Sequence, residues 1–155
     1  MSQPSPSELK TALARYRELL AQMAANEAEL QLPTGRLSAR QRLAALFDAG
    51  DYRELFRFAR AQSDLAGPHC DDGVVCAHGK VHGQPVMAYA TEFQVQGGSL
   101  GVLQTRQIAE VYRLARQSGL PIVALLESGG ARISEAVHIM EGFVPPTREP
   151  CTPLV

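Results

Sequence analysis

The sequence predicts an α/β protein that begins with helices, and three observations support this fold class. Apolar residues recur at spacings of three, four and seven from Leu9 to Leu30, which is a helical stripe. Residues 74–91 then alternate with a period of two, as paired strands do. An amphipathic helix at 103–117 leads into an apolar strand at 121–126, which is half of an α/β unit with a right-handed crossover.

The length and composition fit one folded domain. The 155 residues are 45% hydrophobic and 20% charged, which supports a packed core and excludes wholesale disorder. A formal net charge of −1 argues against a nucleic-acid surface. No apolar run approaches the roughly 20 residues of a membrane span, and no signal-peptide layout opens the chain. Three unpatterned cysteines favour a reducing compartment, so we expect a cytoplasmic protein.

The first 35 residues are predicted to form a tail and one amphipathic helix. The tail covers residues 1–6, and Ser7 suits the N-cap of a helix that runs to about Leu30. The narrow apolar stripe of this helix is typical of a packing seam against another helix. We therefore expect it to pack and to take no part in catalysis.

A shorter second helix is predicted from Ser38, where a capping box is closed by Gln41. Its buried side is expected to carry Leu43, Leu46 and Phe47. The helix ends at residues 48–50. Residues 51–60 mix aromatic and charged side chains, and the pattern leaves their structure open.

Two antiparallel strands are predicted at 74–81 and 85–91, joined across His82-Gly83. Gly83 supplies the positive φ that a tight hairpin needs. A glycine loop at 97–101 precedes the next helix, which Gly119 ends. The strand that follows, at 121–126, is apolar on both faces, as a strand covered on both sides would be.

The strongest candidate for chemistry is the turn Ser128-Gly129-Gly130-Ala131-Arg132, after which a helix is expected from about Ala131. The N–H groups of consecutive glycines, together with a helix N-terminus, form a site for negative charge. Aimed at a carbonyl oxygen that becomes anionic, they would form an oxyanion hole, in which one donor is worth about 3–4 kcal/mol. The alternative is that the glycines only permit a tight turn between strand and helix.

Several sequence blocks occur in the order and approximate spacing of one protein family. The blocks are residues 36–43 (RLSARQRL), 46–55 (LFDAGDYREL), 72–75 (DGVV), 83–86 (GQPV), 93–101 (FQVQGGSLG) and 127–133 (ESGGARI). They resemble the first part of the carboxyltransferase (beta) subunits of biotin-dependent acyl-CoA carboxylases, of the propionyl-CoA carboxylase beta chain type. The resemblance covers residue 36 to about residue 137.

This resemblance implies a partial ClpP/crotonase-like fold built from β-β-α units. It implies that the complete protein transfers a carboxyl group from carboxybiotin, carried by a partner subunit or domain, to the α-carbon of an acyl-CoA through an enolate. Gly129 and Gly130 match the motif whose amides hold the thioester oxygen and are the predicted catalytic residues. Substrate binding is assigned to Gly97, Gly98, Ser99 and Ala131. The resemblance implies no covalently bound cofactor and a homo- or hetero-oligomer, and no metal is predicted.

Two departures from the family pattern limit this interpretation. Glu127 stands where most such carboxylases have aspartate, and glutamate there is more like malonate decarboxylase beta subunits, so the acyl chain stays open. Residues 138–155 do not resemble the family's continuation. We therefore expect a tail and helix at 1–35, a partial acyl-CoA domain at 36–142 and a proline-rich tail at 143–155, inactive without a second half.

Other functions remain open on the sequence. The first alternative is a non-catalytic module, whose amphipathic helix and unfinished sheet would pair with a partner subunit. A hydrolase could use Ser128 and His138 as nucleophile and base, although no orienting acid is evident. A metal site could draw on a cluster whose cysteine spacing is unlike that of zinc sites. The cluster comprises His69, Cys70, Asp71, Asp72, Cys76, His78 and His82.

Arg132 is expected to pair with a carboxylate rather than to contact substrate. The nearby candidates in the sequence are Glu127 and Glu135. The glycine loop at 97–101 lacks the spacing of a dinucleotide-binding fingerprint.

Overall fold

A computed structural model describes residues 5–28, 35–59, 72–135 and 139. Its helices and strands are α1 (Pro6–Ala28), α2 (Ala39–Leu46), β1 (Tyr52–Leu55), β2 (Val74–Val81), β3 (Gln84–Thr91), α3 (Val102–Ser118) and β4 (Ile122–Leu125). Short 3₁₀ turns lie at Asp48–Gly50, Gln96–Gly98 and Ile133–Glu135. Within these ranges, no helix contains an apolar stretch that could span a lipid bilayer.

The four strands form one sheet in the order β1-β2-β3-β4. The first three strands are antiparallel, and β4 lies parallel to β3 after the crossover through α3. The hairpin between β2 and β3 turns at His82 and Gly83, with φ of 51° and 77°. The Asp48 carboxylate accepts hydrogen bonds from both of their N–H groups, at 2.8 and 2.7 Å. The predicted hairpin is therefore confirmed.

The core forms two layers, one on each face of the sheet. The layer under α2 contains Ala39, Leu43, Phe47, Val75, Ala77, Val86, Ala88 and Ala90. The layer under α3 contains Val74, Cys76, Met87, Tyr89, Ile108, Val111 and Ala115. Alternate residues of β2 and β3 face opposite layers, which explains the period of two in their sequence.

The predicted capping box of α2 is confirmed. Ser38 Oγ accepts from the Gln41 N–H at 3.2 Å, and the Gln41 side chain accepts from the Ser38 N–H at 2.9 Å. On the buried side of this helix, Leu43 and Phe47 are buried and Leu46 is half-buried.

Helix α1 starts earlier than the sequence predicts. Ser5, not Ser7, is the capping residue: its Oγ accepts from the Glu8 N–H at 3.3 Å, and Glu8 accepts from the Ser5 N–H at 2.7 Å. Pro6 occupies the first helical position, which tolerates proline because no intrahelical N–H bond is needed there. The predicted cap at Ser7 is therefore wrong.

Three further segments can be compared with the sequence analysis. The stretch left open at 51–60 contains strand β1. Both faces of strand β4 are partly covered: Val123 and Leu125 pack against the layer under α2 and Ile122 against the layer under α3, while Ala124 is exposed. No helix starts at Ala131, which instead forms a parallel bridge with Leu100 before the 3₁₀ turn at Ile133–Glu135. Ile139 is helical, so helical structure follows the turn later than predicted, and the Ala131 N–H does not belong to a helix N-terminus.

Several predicted features fall outside the described residues. They are the tail at 1–4, the end of the first helix beyond residue 28, Cys70, His138 and the proline-rich tail at 143–155. The domain limits predicted at residues 35 and 142 remain predictions.

Candidate functional site

The carboxyl ends of the parallel strands β3 and β4 are tied together by one threonine. Thr91 Oγ1 accepts from the Glu127 N–H at 2.7 Å and donates to the Glu127 carbonyl at 2.8 Å. Arg42 donates to the carbonyls of Thr91 and Leu125, the latter at 3.2 Å. Ligands of α/β sheets bind beyond the carboxyl ends of strands, so this edge is where a site is expected.

The two glycine segments singled out in the sequence meet beyond this edge. The Gly129 N–H donates to the Gly97 carbonyl at 2.9 Å, and the Leu100 N–H donates to the Gly130 carbonyl at 2.8 Å. The Arg132 N–H closes the bridge to the Leu100 carbonyl at 2.9 Å. The structure thus brings together the 97–99 loop and the 128–131 turn, with Gly98 buried in the contact and the other candidate residues half-buried or exposed.

The close contact between these segments is enough to explain why residue 98 is a glycine, without any role in ligand binding. A Cβ atom on Gly98 would lie 2.0 Å from the Glu127 carbonyl oxygen, and its φ is 66°. A side chain there would both clash with backbone and strain the left-handed conformation. Part of the glycine pattern is therefore a packing requirement, which supports the alternative that the glycines permit a tight turn.

Neither amide of the predicted catalytic pair is free in this structure. The Gly129 N–H is bonded to Gly97, and the Gly130 N–H donates to the Ser128 hydroxyl at 3.1 Å. The expectation of two preformed, converging donors is wrong for this conformation, because the loop and the serine satisfy both groups. The assignment of Gly129 and Gly130 as catalytic residues remains a prediction.

Two N–H groups of the turn, those of Ser128 and Ala131, have no acceptor among the described residues. In the bridge of Ala131 to Leu100, the bonds are made by the Gly130 carbonyl and the Arg132 N–H, so the Ala131 N–H points to the opposite side. Ala131 is exposed, and no described residue accepts a hydrogen bond from its N–H.

The Arg132 side chain anchors the turn to the protein interior through a buried network of hydrogen bonds and ion pairs. Its side chain, 3% exposed, forms an ion pair with the carboxylate of Asp72, which is 1% exposed. It also donates to the Asp72 carbonyl at 3.0 Å and to the Ser99 hydroxyl at 3.4 Å. Glu135 lies 3.5 Å away, whereas Glu127 pairs with another arginine. The expected carboxylate pairing is correct for Glu135 and wrong for Glu127, and the main partner of Arg132 is Asp72.

The N-terminus of α3 is satisfied by carboxylates from the same network. Asp72 Oδ2 accepts from the Gln104 N–H at 3.2 Å, and Glu135 Oε2 accepts from the Val102 N–H at 2.8 Å. The Gln104 side chain accepts from the Gly101 N–H at 3.0 Å. These groups occupy the positive end of the helix, so it offers no place for an anionic ligand.

Glu127 faces the open side of the edge and pairs with Arg36 at 2.8 Å. The Arg36 guanidinium lies 4.3 Å from the centre of the Phe93 ring. Phe93 and Leu126 are 37% and 62% exposed. The surface beside the turn is therefore partly apolar, with one exposed ion pair at its border.

The metal hypothesis gains no support from the members of its cluster that can be placed. Asp72 is engaged by Arg132, and Cys76 is buried in the core. Burial, and then the charge of Glu54, raises the pKa of the Cys76 thiol from 9.0 to about 12, which disfavours the thiolate that binds metal. Within the described ranges, no three His, Cys, Asp or Glu residues are grouped to hold an ion.

The hydrolase hypothesis remains untested, because His138 lies outside the described residues. The hydroxyl of Ser128, its proposed nucleophile, is 3.1 Å from the Gly130 N–H and 3.4 Å from the Gly130 carbonyl.

A comparison with known protein families shows to which family the chain belongs. The model of the carboxyl transferase domain matches residues 30–149. The chain belongs to the carboxyl transferase family. The resemblance stated from the sequence blocks is thereby confirmed, although the match extends to residue 149 and not only to about residue 137 as expected. The crotonase-like α/β fold is confirmed by the solved structures given below.

Similar proteins include the alpha subunit of methylmalonyl-CoA decarboxylase from Veillonella parvula, 41% identical over 123 residues, or 74% of this chain and 23% of that protein. The propionyl-CoA carboxylase beta chain of Cereibacter sphaeroides is 36% identical over 119 residues, or 74% of this chain and 23% of that protein. This chain therefore spans about a quarter of the length of these relatives.

Two solved structures show the same fold. Transcarboxylase 12S, with methylmalonyl-coenzyme A bound, aligns with a TM-score of 0.66 and 28% identity over 92% of this chain and 29% of its own. A Pseudomonas malonate decarboxylase hetero-tetramer in complex with malonate aligns with a TM-score of 0.59 and 41% identity, over 77% of this chain and 47% of the other. Carboxyl transferase relatives thus include carboxylases, decarboxylases and transcarboxylases.

Sequence reasoning missed the residues that hold the turn in place. Asp72 pairs with Arg132 at a separation of 60 residues. Thr91 and Arg42 bind Glu127 and Leu125, at the end of β4, from 36 and 83 residues away. The sequence singled out Asp72 only as part of the DGVV block of the family resemblance and as a member of the candidate metal cluster, not as a partner of Arg132.

Proposed function

We propose that this chain binds an acyl-CoA through the 128–131 turn, as the acyl-CoA side of a carboxyltransferase. The reaction would move a carboxyl group from carboxybiotin, carried by a partner protein, to the α-carbon of the acyl group. The observation that carries the proposal is an exposed Ala131 N–H without an acceptor among the described residues, at the carboxyl edge of the sheet in a carboxyl transferase.

The proposed donors differ in how readily they can reach a ligand. The Ala131 N–H can take a thioester oxygen as its acceptor without any rearrangement of the bridge to Leu100. The Gly130 N–H is released when the exposed Ser128 side chain rotates about χ1, which breaks one hydrogen bond of 3.1 Å. Release of the Gly129 N–H requires the Gly97 carbonyl to move.

These donors would act on the charge that develops at the thioester oxygen. When the α-carbon loses a proton, the thioester becomes an enolate and its oxygen becomes anionic. A donor that meets this oxygen contributes about 3–4 kcal/mol to the transition state. Carboxybiotin, the co-substrate, supplies the carboxyl group, and the described residues act on the thioester alone.

The 97–99 loop is proposed to line the acyl group. Beyond the neighbouring residues, no atom of the described chain lies within 4 Å of the position that a Gly97 Cβ would take, which leaves room for a ligand chain there, whereas Gly98 packs directly against the backbone of Glu127. Ser99 is oriented by Gln96 and Arg132, through hydrogen bonds of 2.7 and 3.4 Å. We assign it a role in fixing the loop.

The proposed protein is a cytoplasmic oligomer with a biotin-carrying partner. Among its structural relatives, transcarboxylase 12S forms a hexamer assembly and the Pseudomonas malonate decarboxylase a hetero-tetramer, which supports an oligomer. The three cysteines without a disulfide pattern favour a reducing compartment.

A malonate decarboxylase-like role is the second candidate. It is favoured by Glu127 and by the 41% identity with the malonate decarboxylase structure. The same turn would then stabilise the enolate that remains when a carboxyl group leaves as carbon dioxide. The two roles share the donors and differ in the direction of carboxyl transfer.

Calorimetry with two ligands tests whether the chain recognises a thioester oxygen. The ligands are propionyl-CoA and S-propyl-CoA, a thioether that lacks only the carbonyl oxygen. One hydrogen bond of about 0.5–1.5 kcal/mol corresponds to propionyl-CoA binding about two- to tenfold more tightly. No heat with either ligand, or equal affinity for both, would contradict the proposal.

A further inference from the structure

Helix α1 presents an apolar face that the described part of the chain leaves uncovered at its N-terminal half. Leu9, Leu13 and Tyr16 are 55%, 49% and 47% exposed. Phe58 continues this face: its ring lies 5.4 Å from that of Tyr16, and it is 43% exposed. We call these four residues the α1 face.

The spacing of the α1 face fits a partner helix. Leu9, Leu13, Tyr16, Leu20 and Met23 are separated by four, three, four and three residues. This is the a/d pattern of a coiled coil, in which each side chain inserts between side chains of a facing helix. A helix of 23 residues is about 34 Å long, so it offers three such layers before the half-buried Leu20.

The charges beside the α1 face are positive on one flank. Lys10 and Arg17, seven residues apart, follow Leu9 and Tyr16 on the same side of the helix. Both are exposed, and neither has an ion-pair partner among the residues that the structure describes. Such flanking positions form the salt bridges that choose a partner in coiled coils.

A second copy of α1 does not complement these charges. In an antiparallel pair, Lys10 and Arg17 of one copy would face the same two cations of the other. In a parallel pair they would face the opposite flank, which carries Ala12 and Leu19 at the corresponding positions. Neither arrangement supplies a carboxylate, so self-pairing has no electrostatic support.

We propose that α1 docks an amphipathic helix of a partner protein, with an aliphatic a/d stripe and acidic residues opposite Lys10 and Arg17. The α1 face supplies the apolar contact, and the two cations set the orientation and choice of partner. The stripe is narrow, and Glu8 and Glu18 lie on the same helix, which favours a protein helix over an anionic membrane surface.

Two synthetic peptides test this proposal on the full chain. Both have three heptads with Ile at a and Leu at d, and they carry either Glu or Lys at every e and g position. By fluorescence anisotropy, the acidic peptide is expected to bind at least about tenfold more tightly, with a preference that shrinks as salt screens the charges. The Leu13→Gln variant should lose binding of both peptides.

A charge reversal gives the deciding comparison. Lys10→Glu/Arg17→Glu should reverse the preference to the basic peptide, which a variant that failed to fold could not do. The control Arg53→Glu/Lys80→Glu makes the same change in net charge at exposed positions of the sheet and should keep the acidic preference. Binding of neither peptide, or unchanged preference after the reversal, would overturn the proposal. So would Leu13-dependent self-association in sedimentation, or Leu13-dependent binding to phosphatidylserine vesicles in place of the peptide.

Discussion

Arg132 and Asp72, 60 positions apart in the sequence, form a buried ion pair beneath the glycine turn. The pair joins the start of β2 to the residue that follows the candidate donor Ala131. It also contacts the 97–99 loop through Ser99 and the start of α3 through the N–H of Gln104. One interaction therefore sets the relative position of the segments that build the candidate site.

Breaking this pair should destabilise the fold strongly. Arg132→Met leaves the Asp72 carboxylate buried without a counter-charge, which costs about 3–5 kcal/mol. Arg113→Met is the matched control, because the pair of Arg113 with Glu110 is 51% and 38% exposed and is worth less than about 1 kcal/mol. Urea unfolding measures both, and similar losses for the two variants would contradict the assigned role of Arg132.

Substitutions at Gly97 and Gly98 distinguish the cost of a steric clash from the cost of backbone strain. Gly97 and Gly98 have φ of 68° and 66°, but only a Cβ on Gly98 meets backbone, at 2.0 Å. Gly97→Ala should therefore lose about 1–2 kcal/mol from strain alone. For Gly98→Ala, the free energy of unfolding should fall by about 1–3 kcal/mol more than for Gly97→Ala, because the 128–131 turn must shift. Unfolding free energies of equal size would show that the contact with Glu127 is unimportant.

The buried Cys76 thiol should make stability fall in alkali. Its pKa is about 12 in the fold against 9.0 for an ordinary thiol, so above pH 9 the unfolded chain releases a proton that the native state keeps. The free energy of unfolding then falls by up to about 1.4 kcal/mol per pH unit. Cys76→Ala should lack this contribution. Identical slopes for the two proteins between pH 9 and pH 11 would contradict the burial of this thiol.

Local patterns predicted the parts of the fold that depend on neighbours in sequence. The α2 cap at Ser38 and the hairpin at His82-Gly83 follow from side-chain and backbone preferences within four residues. Strand β1 was missed because its four residues alternate weakly and gain their place only by pairing with β2. Helical structure does not start at Ala131 as expected, because Ala131 is held in a long-range bridge to Leu100.

The sequence predicted which segments form the candidate site, but not how they are arranged. The glycine motifs located the loop and the turn, and the structure brings them together. Their hydrogen bonds to each other depend on a tertiary contact of 32 residues' separation, from Gly97 to Gly129, that no local pattern encodes. The same contact occupies one of the two amides on which the sequence interpretation relied.

The most direct test of acyl-CoA binding removes the Ala131 N–H itself. Ala131→Pro deletes that donor but no hydrogen bond of the bridge to Leu100, and Ala131→Ser keeps the donor at the same position. Calorimetry with propionyl-CoA and S-propyl-CoA should show the thioester preference in the wild type and in Ala131→Ser, and its loss in Ala131→Pro. A preference that survives in Ala131→Pro would contradict the claim that this amide holds the thioester oxygen.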